Sequence, residues 1–282
     1  MRLITAAILV PVLVGSVIWL PDSYFALLFG VFATIGSWEW TQFMRLQKLL
    51  SKLVYVALVV VALILCWHYA MNATNLVLVG LLLGFVWWLC ALILVLLYPR
   101  YTWVRNNLFA VGLTGILVLI PCWLAIVVLR NNYEQGVSLV LFLVALIAVA
   151  DSGAYFGGRK WGANKLAPQV SPGKSWEGVY SGLACVAVLA LAGAWFLGLH
   201  EHGWQSVGLF IGISIFTAMF SVLGDLSESM FKRHVGIKDS GSILPGHGGI
   251  LDRIDSITAA APVFVICLSI FFSNQSSLFA KL

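Results

Sequence analysis

Four carboxylates stand where carboxylates are expensive. Glu39, Asp151, Asp225 and Glu228 each lie in the last turns of an apolar run, and an ionisable side chain inside a membrane-buried helix costs about 2.5–3.5 kcal/mol even on a lenient insertion scale. Glu39 stands between Trp38 and Trp40, a pairing that suits the lipid headgroup zone. Asp151 precedes Ser152 and Gly153, which fits a polar contact between helices as well as a substrate role. Asp225 differs because of the residues after it. In Gly224-Asp225-Leu226-Ser227-Glu228-Ser229 the spacing of three and four sets Asp225, Glu228 and Ser229 on one helical face. Further on, Asp252-Arg253-Ile254-Asp255-Ser256 sets Asp252, Asp255 and Ser256 on one face by the same rule. Two acidic helix ends are therefore expected to meet at one boundary, where oxygen-only ligands suit a hard cation, Mg²⁺ before Ca²⁺.

Between them runs a basic, glycine-rich loop, with Lys232-Arg233-His234-Val235-Gly236-Ile237-Lys238-Asp239 and then Leu244-Pro245-Gly246-His247-Gly248-Gly249. Cations beside glycines that let backbone N–H groups come close to a ligand make an anion cradle. Carboxylates for a metal next to cations for an anion are the equipment of phosphoryl or nucleotidyl transfer. An ordinary basic loop would account for the lysines but not for the carboxylates or the Pro-Gly-His-Gly-Gly run. Gly173-Lys174-Ser175 looks like the end of a Walker A loop, but the glycine required five positions earlier is Pro168, so that reading fails.

The elements that must hold these residues are membrane helices. Of 282 residues 61% are hydrophobic and 10% charged, against about a quarter charged in a soluble domain. Nine stretches are apolar enough to span, at roughly 4–20, 24–40, 53–71, 76–98, 108–129, 137–156, 179–199, 207–226 and 256–272. With nine crossings, fourteen of the sixteen basic residues fall on one side, leaving only Arg130 and Lys281 opposite. The positive-inside rule then puts the N-terminus in the cytoplasm and the C-terminus outside. The expected fold is an all-α polytopic integral membrane protein with about nine transmembrane helices. It is read as a single domain, 1–282, with N-terminal helices 1–130 as scaffold and 137–272 forming the catalytic part. The same rule accounts for the net charge of +5, so no nucleic acid is expected as a partner. The five cysteines lie singly inside apolar runs and are read as packing residues.

The order Ser229, Lys232-Arg233, Lys238-Asp239, Leu244-Pro245-Gly246-His247-Gly248-Gly249, Asp252-Arg253, Asp255 closely resembles the signature of the phosphatidate cytidylyltransferases. So does the second long loop, with Lys165-Leu166-Ala167-Pro168 and Ser171-Pro172-Gly173-Lys174-Ser175-Trp176-Glu177-Gly178. The resemblance implies a reaction of CTP with phosphatidic acid to give CDP-diacylglycerol and pyrophosphate. It implies Mg²⁺ on Asp225 and Asp252, with Asp255 and Ser229 close by and room for a second, monovalent cation. Lys232, Arg233, Lys238, Lys165 and the Ser171-to-Lys174 segment would face phosphates. Asp151, His247, Gly248 and Arg253 complete the expected substrate site, His247 as a hydrogen-bond donor to a phosphate. A homodimer is implied by resemblance alone. The expected location is a bacterial inner membrane, with the active site facing the cytoplasm. Two rival readings are a CTP-dependent kinase of a membrane alcohol, which needs a base to activate a hydroxyl, and a cation-coupled transporter. The transporter requires mid-membrane carboxylates and symmetric halves, and neither is present in the sequence.

Overall fold

The protein, as a computed structural model, is described over residues 2–70, 74–100, 106–243, 246 and 248–272. Nine long helices carry these residues: α1 (Arg2–Trp19), α2 (Asp22–Phe43), α3 (Leu49–Ala70), α4 (Thr74–Leu96), α5 (Leu108–Asn131), α6 (Gly136–Trp161), α7 (Trp176–Phe196), α8 (Trp204–Val235) and α9 (Leu251–Phe271). Between α6 and α7 a two-stranded antiparallel hairpin, β1 (Lys165–Ala167) and β2 (Ser171–Ser175), pairs Lys165 with Ser175 and Ala167 with Ser171. Among the described residues seven helices, α3 to α9, are long and apolar enough to cross a membrane. The chain is an all-α polytopic membrane protein.

Helix α5 is the hub. Its apolar side chains are buried almost all round, from Val118 through Leu129, because α2, α4, α6 and α9 pack around it. Helices α3 and α4 instead expose much of their Leu, Ile and Val surface, as expected where hydrocarbon is the solvent. Small residues bring α6 and α7 together: a Cβ on Gly153, Gly178 or Gly182 would run into the facing helix, the close approach that membrane helices use in place of a hydrophobic driving force.

The helix ends sort into two groups, one at each end of the bundle. Arg130 at the end of α5 donates to the carbonyl of Val17 on α1 (2.9 Å) and pairs with Asp22 on α2 (3.4 Å). Gln135 just before α6 donates to the carbonyl of Leu197 just after α7 (3.3 Å). At the opposite end, α2 and the start of α9 meet through Glu39. Among the described residues seven helices meet the length and hydropathy of a span, where the apolar runs of the sequence suggest about nine.

The helices overrun the apolar runs from which they were expected. Helix α8 does not stop at 226 but continues to Val235, where Gly236 turns left-handed (φ 78°) and ends it. Helix α9 opens at Leu251 rather than 256, and α6 extends to Trp161. Hydropathy measures how much chain is apolar; nothing in a run of Glu, Ser, Lys and Arg forbids a helix. The long loop expected over 227–255 is therefore a short connection, 236–250, between two helices. The stretch expected as a loop over 157–178 is the end of α6, the hairpin and the start of α7.

Candidate active site

Because α8 runs on, the residues at 225, 228, 229 and 232 form one continuous helical stripe, and α9 lies directly against it. The contact is close: Gly224 leaves no room for a Cβ beside the backbone carbonyl of Asp255. A Gly224→Ala variant is expected to push the two helices apart and cost about 1–3 kcal/mol. The check is a lower midpoint of thermal unfolding in detergent together with reduced turnover.

Lys232 is the centre of the arrangement. Its ammonium lies 2.7 Å from Asp252 Oδ1 and 3.0 Å from Glu228 Oε2, joining α8 to α9. Asp252 is fixed from both sides, since its other oxygen, Oδ2, accepts from Ser240 N (2.9 Å), Ser240 Oγ (3.0 Å) and Gly249 N (2.8 Å). Gly248 has φ 82°, and a side chain there would sit 2.7 Å from Asp252 Oδ2, so glycine is required twice over. Asp225 accepts from Ser229 Oγ (3.2 Å) and is bridged at 2.6 Å by Lys174, which β2 brings in from the other loop. Asp255 is within electrostatic reach of Asp225 and Lys232, and Asp151 on α6 is within reach of Lys174 and Asp225.

The expected residues do not all converge. Arg233 turns back to the Val170 carbonyl (3.5 Å), tying the end of α8 to the hairpin. Lys238 is exposed on the connection to α9, and Lys165 is exposed on β1. Ser171 is half-buried on β2, and Arg253 is exposed on the first turn of α9. His247 lies outside the described residues.

One residue that organises this end was not expected to do so. Glu39 is 1% exposed, well inside the protein rather than among headgroups. Its carboxylate accepts from Ile250 N (3.0 Å) and Leu251 N (2.8 Å), capping the first turn of α9, and lies 3.3 Å from Ser240 Oγ. Such caps satisfy N–H groups that the helix leaves over, and a negative charge there also meets the positive end of the helix dipole. Gln42 Nε2 donates to the Ser240 carbonyl (2.9 Å) and Arg45 to that of His234 (2.9 Å). The end of α2 and the residues just after it thus hold the end of α8 and the 236–250 connection in place. Trp40, expected at the membrane surface, is buried and donates to the Val111 carbonyl (2.9 Å).

Among the described residues no three His, Cys, Asp or Glu side chains form a ready-made metal-ligand set. The donor chemistry nevertheless fits a divalent ion. Asp225, Glu228, Asp252 and Asp255 face two ammonium groups, Lys174 and Lys232. More carboxylates than ammonium groups meet here, an excess of the sign that a divalent cation neutralises. Mg²⁺ in particular takes one or two protein carboxylates and leaves its remaining positions to water and substrate phosphates.

Fold and site together define a membrane-embedded protein with carboxylates and ammonium groups gathered at one end of its helix bundle. Comparison with known proteins is more specific. Residues 1–271 match the cytidylyltransferase family. The chain is 41% identical over 267 residues to the phosphatidate cytidylyltransferase of Pseudomonas aeruginosa, covering 95% of this chain and 96% of that one. It is 42% identical over 278 residues to that of Haemophilus influenzae, covering 93% and 96%. A Staphylococcus aureus protein of the same name is 42% identical over 135 residues, 48% of this chain and 50% of its own. The chain belongs to the cytidylyltransferase family and is a nucleotidyltransferase of the membrane.

Proposed function

We propose that this enzyme joins CTP and phosphatidate into CDP-diacylglycerol and pyrophosphate, working at the cytoplasmic face of a bacterial inner membrane. The observation that carries the reading is the meeting of Asp225 on α8 with Asp252 and Asp255 on α9, closed by Lys232 and Lys174. The names of the relatives, and the positive-inside asymmetry of the two bundle ends, support it.

In the reaction an oxygen of the lipid phosphate attacks the α-phosphorus of CTP. One P–O bond forms, the bond to the β-phosphate breaks, and its electron pair leaves with pyrophosphate. The attacking phosphate is already ionised at neutral pH, so no base has to be supplied, in keeping with a site that pairs carboxylates with lysines. Asp225 and Asp252 would hold Mg²⁺, with Asp255 beside them and available to a second cation; the ion would neutralise the triphosphate and the leaving pyrophosphate. Lys232 keeps Asp252 in place and supplies positive charge at the junction of the two helices. Lys174 reaches from the hairpin to Asp225, where an arriving triphosphate can take its ammonium in exchange for the carboxylate. Arg233, Lys238, Lys165, Ser171 and Arg253, arranged around this end, offer further donors to phosphates.

Purified protein in detergent with phosphatidate and Mg²⁺ is expected to transfer label from [α-³²P]CTP into lipid and none from [γ-³²P]CTP. Label entering lipid from the γ-position would make the enzyme a kinase and overturn the reading. Lys174→Ala is expected to raise KM for CTP by about tenfold or more, the equivalent of one charge-assisted hydrogen bond. Because Lys174 also competes for Asp225, the same variant is expected to need less Mg²⁺ for half-maximal activity. An unchanged CTP dependence would remove the hairpin from the nucleotide site.

A further inference from the structure

The hairpin that carries Lys174 is short, with three residues in β1 and five in β2, and an isolated two-stranded hairpin barely holds its shape in water. The Lys174 ammonium nevertheless reaches a defined place, 2.6 Å from Asp225 and within electrostatic reach of Asp151. Contacts outside the strands must therefore fix the hairpin. They lie at its base, where the chain leaves α6 and enters α7.

Asn164, the residue before β1, is tied to the first turn of α7 by both its backbone groups. Its carbonyl accepts from Trp176 N (2.9 Å), and its N–H donates to Glu177 Oε1 (3.1 Å) and Oε2 (3.2 Å). The Asn164 side chain adds a shorter bond, Nδ2 to Glu177 Oε1 at 2.7 Å. At the other strand Ser175 is buried, and its hydroxyl caps α7 by accepting from Gly178 N (3.2 Å). The end of α6 is fitted to that hydroxyl: a Cβ on Gly162 would sit 2.7 Å from it and one on Gly158 3.1 Å. Glu177 thus fixes where β1 begins and Ser175 fixes where β2 ends, with the Lys165 to Ser175 pairing joining them. Lys174 is the residue next to that junction.

Resting on the reaction proposed above, we propose that Glu177 is a positioning residue for CTP: by clamping Asn164 to the first turn of α7 it closes the base of the hairpin and holds the Lys174 ammonium where the triphosphate arrives. Glu177 itself touches no substrate. Both its oxygens are taken by Asn164, and a free carboxylate at that place would repel a triphosphate. Its contribution is preorganisation. Lysine has a flexible stem, and if the backbone beneath it were also loose, both would have to be ordered when the nucleotide binds, at the expense of affinity. The contact pattern separates this role from one of charge. Oε1 receives both the N–H and the Nδ2 of Asn164, so the amide oxygen of a glutamine placed there keeps both donors, whereas alanine loses them.

The test is a double-mutant cycle with Lys174. Glu177→Ala is expected to raise KM for CTP by about tenfold with kcat within about twofold of the parent, the pattern of lost binding rather than lost chemistry. Added to Lys174→Ala, the same substitution is expected to change KM by less than about twofold, because residues that act through one contact are not additive. Glu177→Gln is expected to stay within about threefold of the parent. An effect of Glu177→Ala that persists undiminished beside Lys174→Ala overturns the proposal, as does a glutamine variant as impaired as the alanine one. A fall in kcat with KM unchanged also overturns it, being the mark of a partly unfolded preparation. Hydrogen exchange of the peptide spanning 163–176, followed in detergent without substrate, is expected to quicken in Glu177→Ala and to stay at the parent rate in Glu177→Gln. Unchanged exchange in the alanine variant overturns the clamp. If the parent protein transfers no cytidylyl group to phosphatidate while exchange follows the expected pattern, the reaction assignment fails and the clamp stands.

Discussion

Asp225→Asn and Asp252→Asn are each expected to lose roughly three orders of magnitude in turnover, and to differ from each other in stability. The common loss comes from charge. Each substitution removes a negative charge from the cluster of four carboxylates and two ammonium groups, and with it part of the attraction for a divalent ion; loss of a single preorganised electrostatic contact at a reacting centre costs about 2.7–4 kcal/mol. The difference comes from hydrogen bonding. Asp225 is about a third exposed and takes one hydroxyl and one lysine; the Ser229 hydroxyl can reverse and accept from an asparagine amide. Asp252 is 7% exposed and receives donors on both oxygens, Lys232 on one and Ser240 and Gly249 on the other. Whichever way an asparagine is turned there, its NH₂ faces a donor. Asp252→Asn is therefore expected to lower the unfolding midpoint in detergent, and Asp225→Asn to leave it near that of the parent. The measurements are CTP-dependent lipid labelling and thermal unfolding of the same preparations. Turnover near the parent level in either variant would remove that residue from the proposed metal site.

Much of this end of the molecule is readable from spacing alone, because helical periodicity is a local property. Asp225, Glu228 and Ser229 fall on one face by their positions in the chain, as do Asp252, Asp255 and Ser256, and the structure brings the two faces together. The rest depends on contacts that no local pattern encodes. The pairing of Lys174 with Asp225 needs the hairpin to fold back over α8. The continuation of α8 to Val235 could not be read from hydropathy, since its last turns are polar and are held by contacts across the fold, Phe231 against Phe43 and Trp40 of α2 and Lys232 against Asp252 of α9. Glu39 is the plainest case: its partners lie more than two hundred positions away, and its tryptophan neighbours pointed to the membrane surface. The sole local signal was a carboxylate in an apolar run, which says that a partner must exist and not where it is.

That partner makes the second large effect. Glu39→Leu is expected to abolish activity although residue 39 touches neither proposed substrate, because it is a positioning residue acting through α9. The carboxylate accepts two backbone N–H groups of the first turn, Ile250 and Leu251, in a buried setting, and leaving buried donors unpaired costs about 1–3 kcal/mol each. Leucine would strand both and release the Ser240 hydroxyl, which lies between Glu39 and Asp252 and can donate to one of them at a time. The turn bearing Asp252 would loosen, and a ligand misplaced by about 1 Å can cost about 10²-fold in rate. Glu39→Gln separates positioning from bulk stability. It keeps the volume and one acceptor oxygen but turns an NH₂ toward an N–H donor, so the cap is half made. Its expected signature is a kcat lowered by about tenfold or more and a higher Mg²⁺ concentration for half-maximal activity, with KM for CTP little changed, since the hairpin with Lys174 does not touch Glu39. A variant that merely unfolds part of the population would lower kcat without moving the Mg²⁺ dependence, and that outcome would reduce Glu39 to a packing residue.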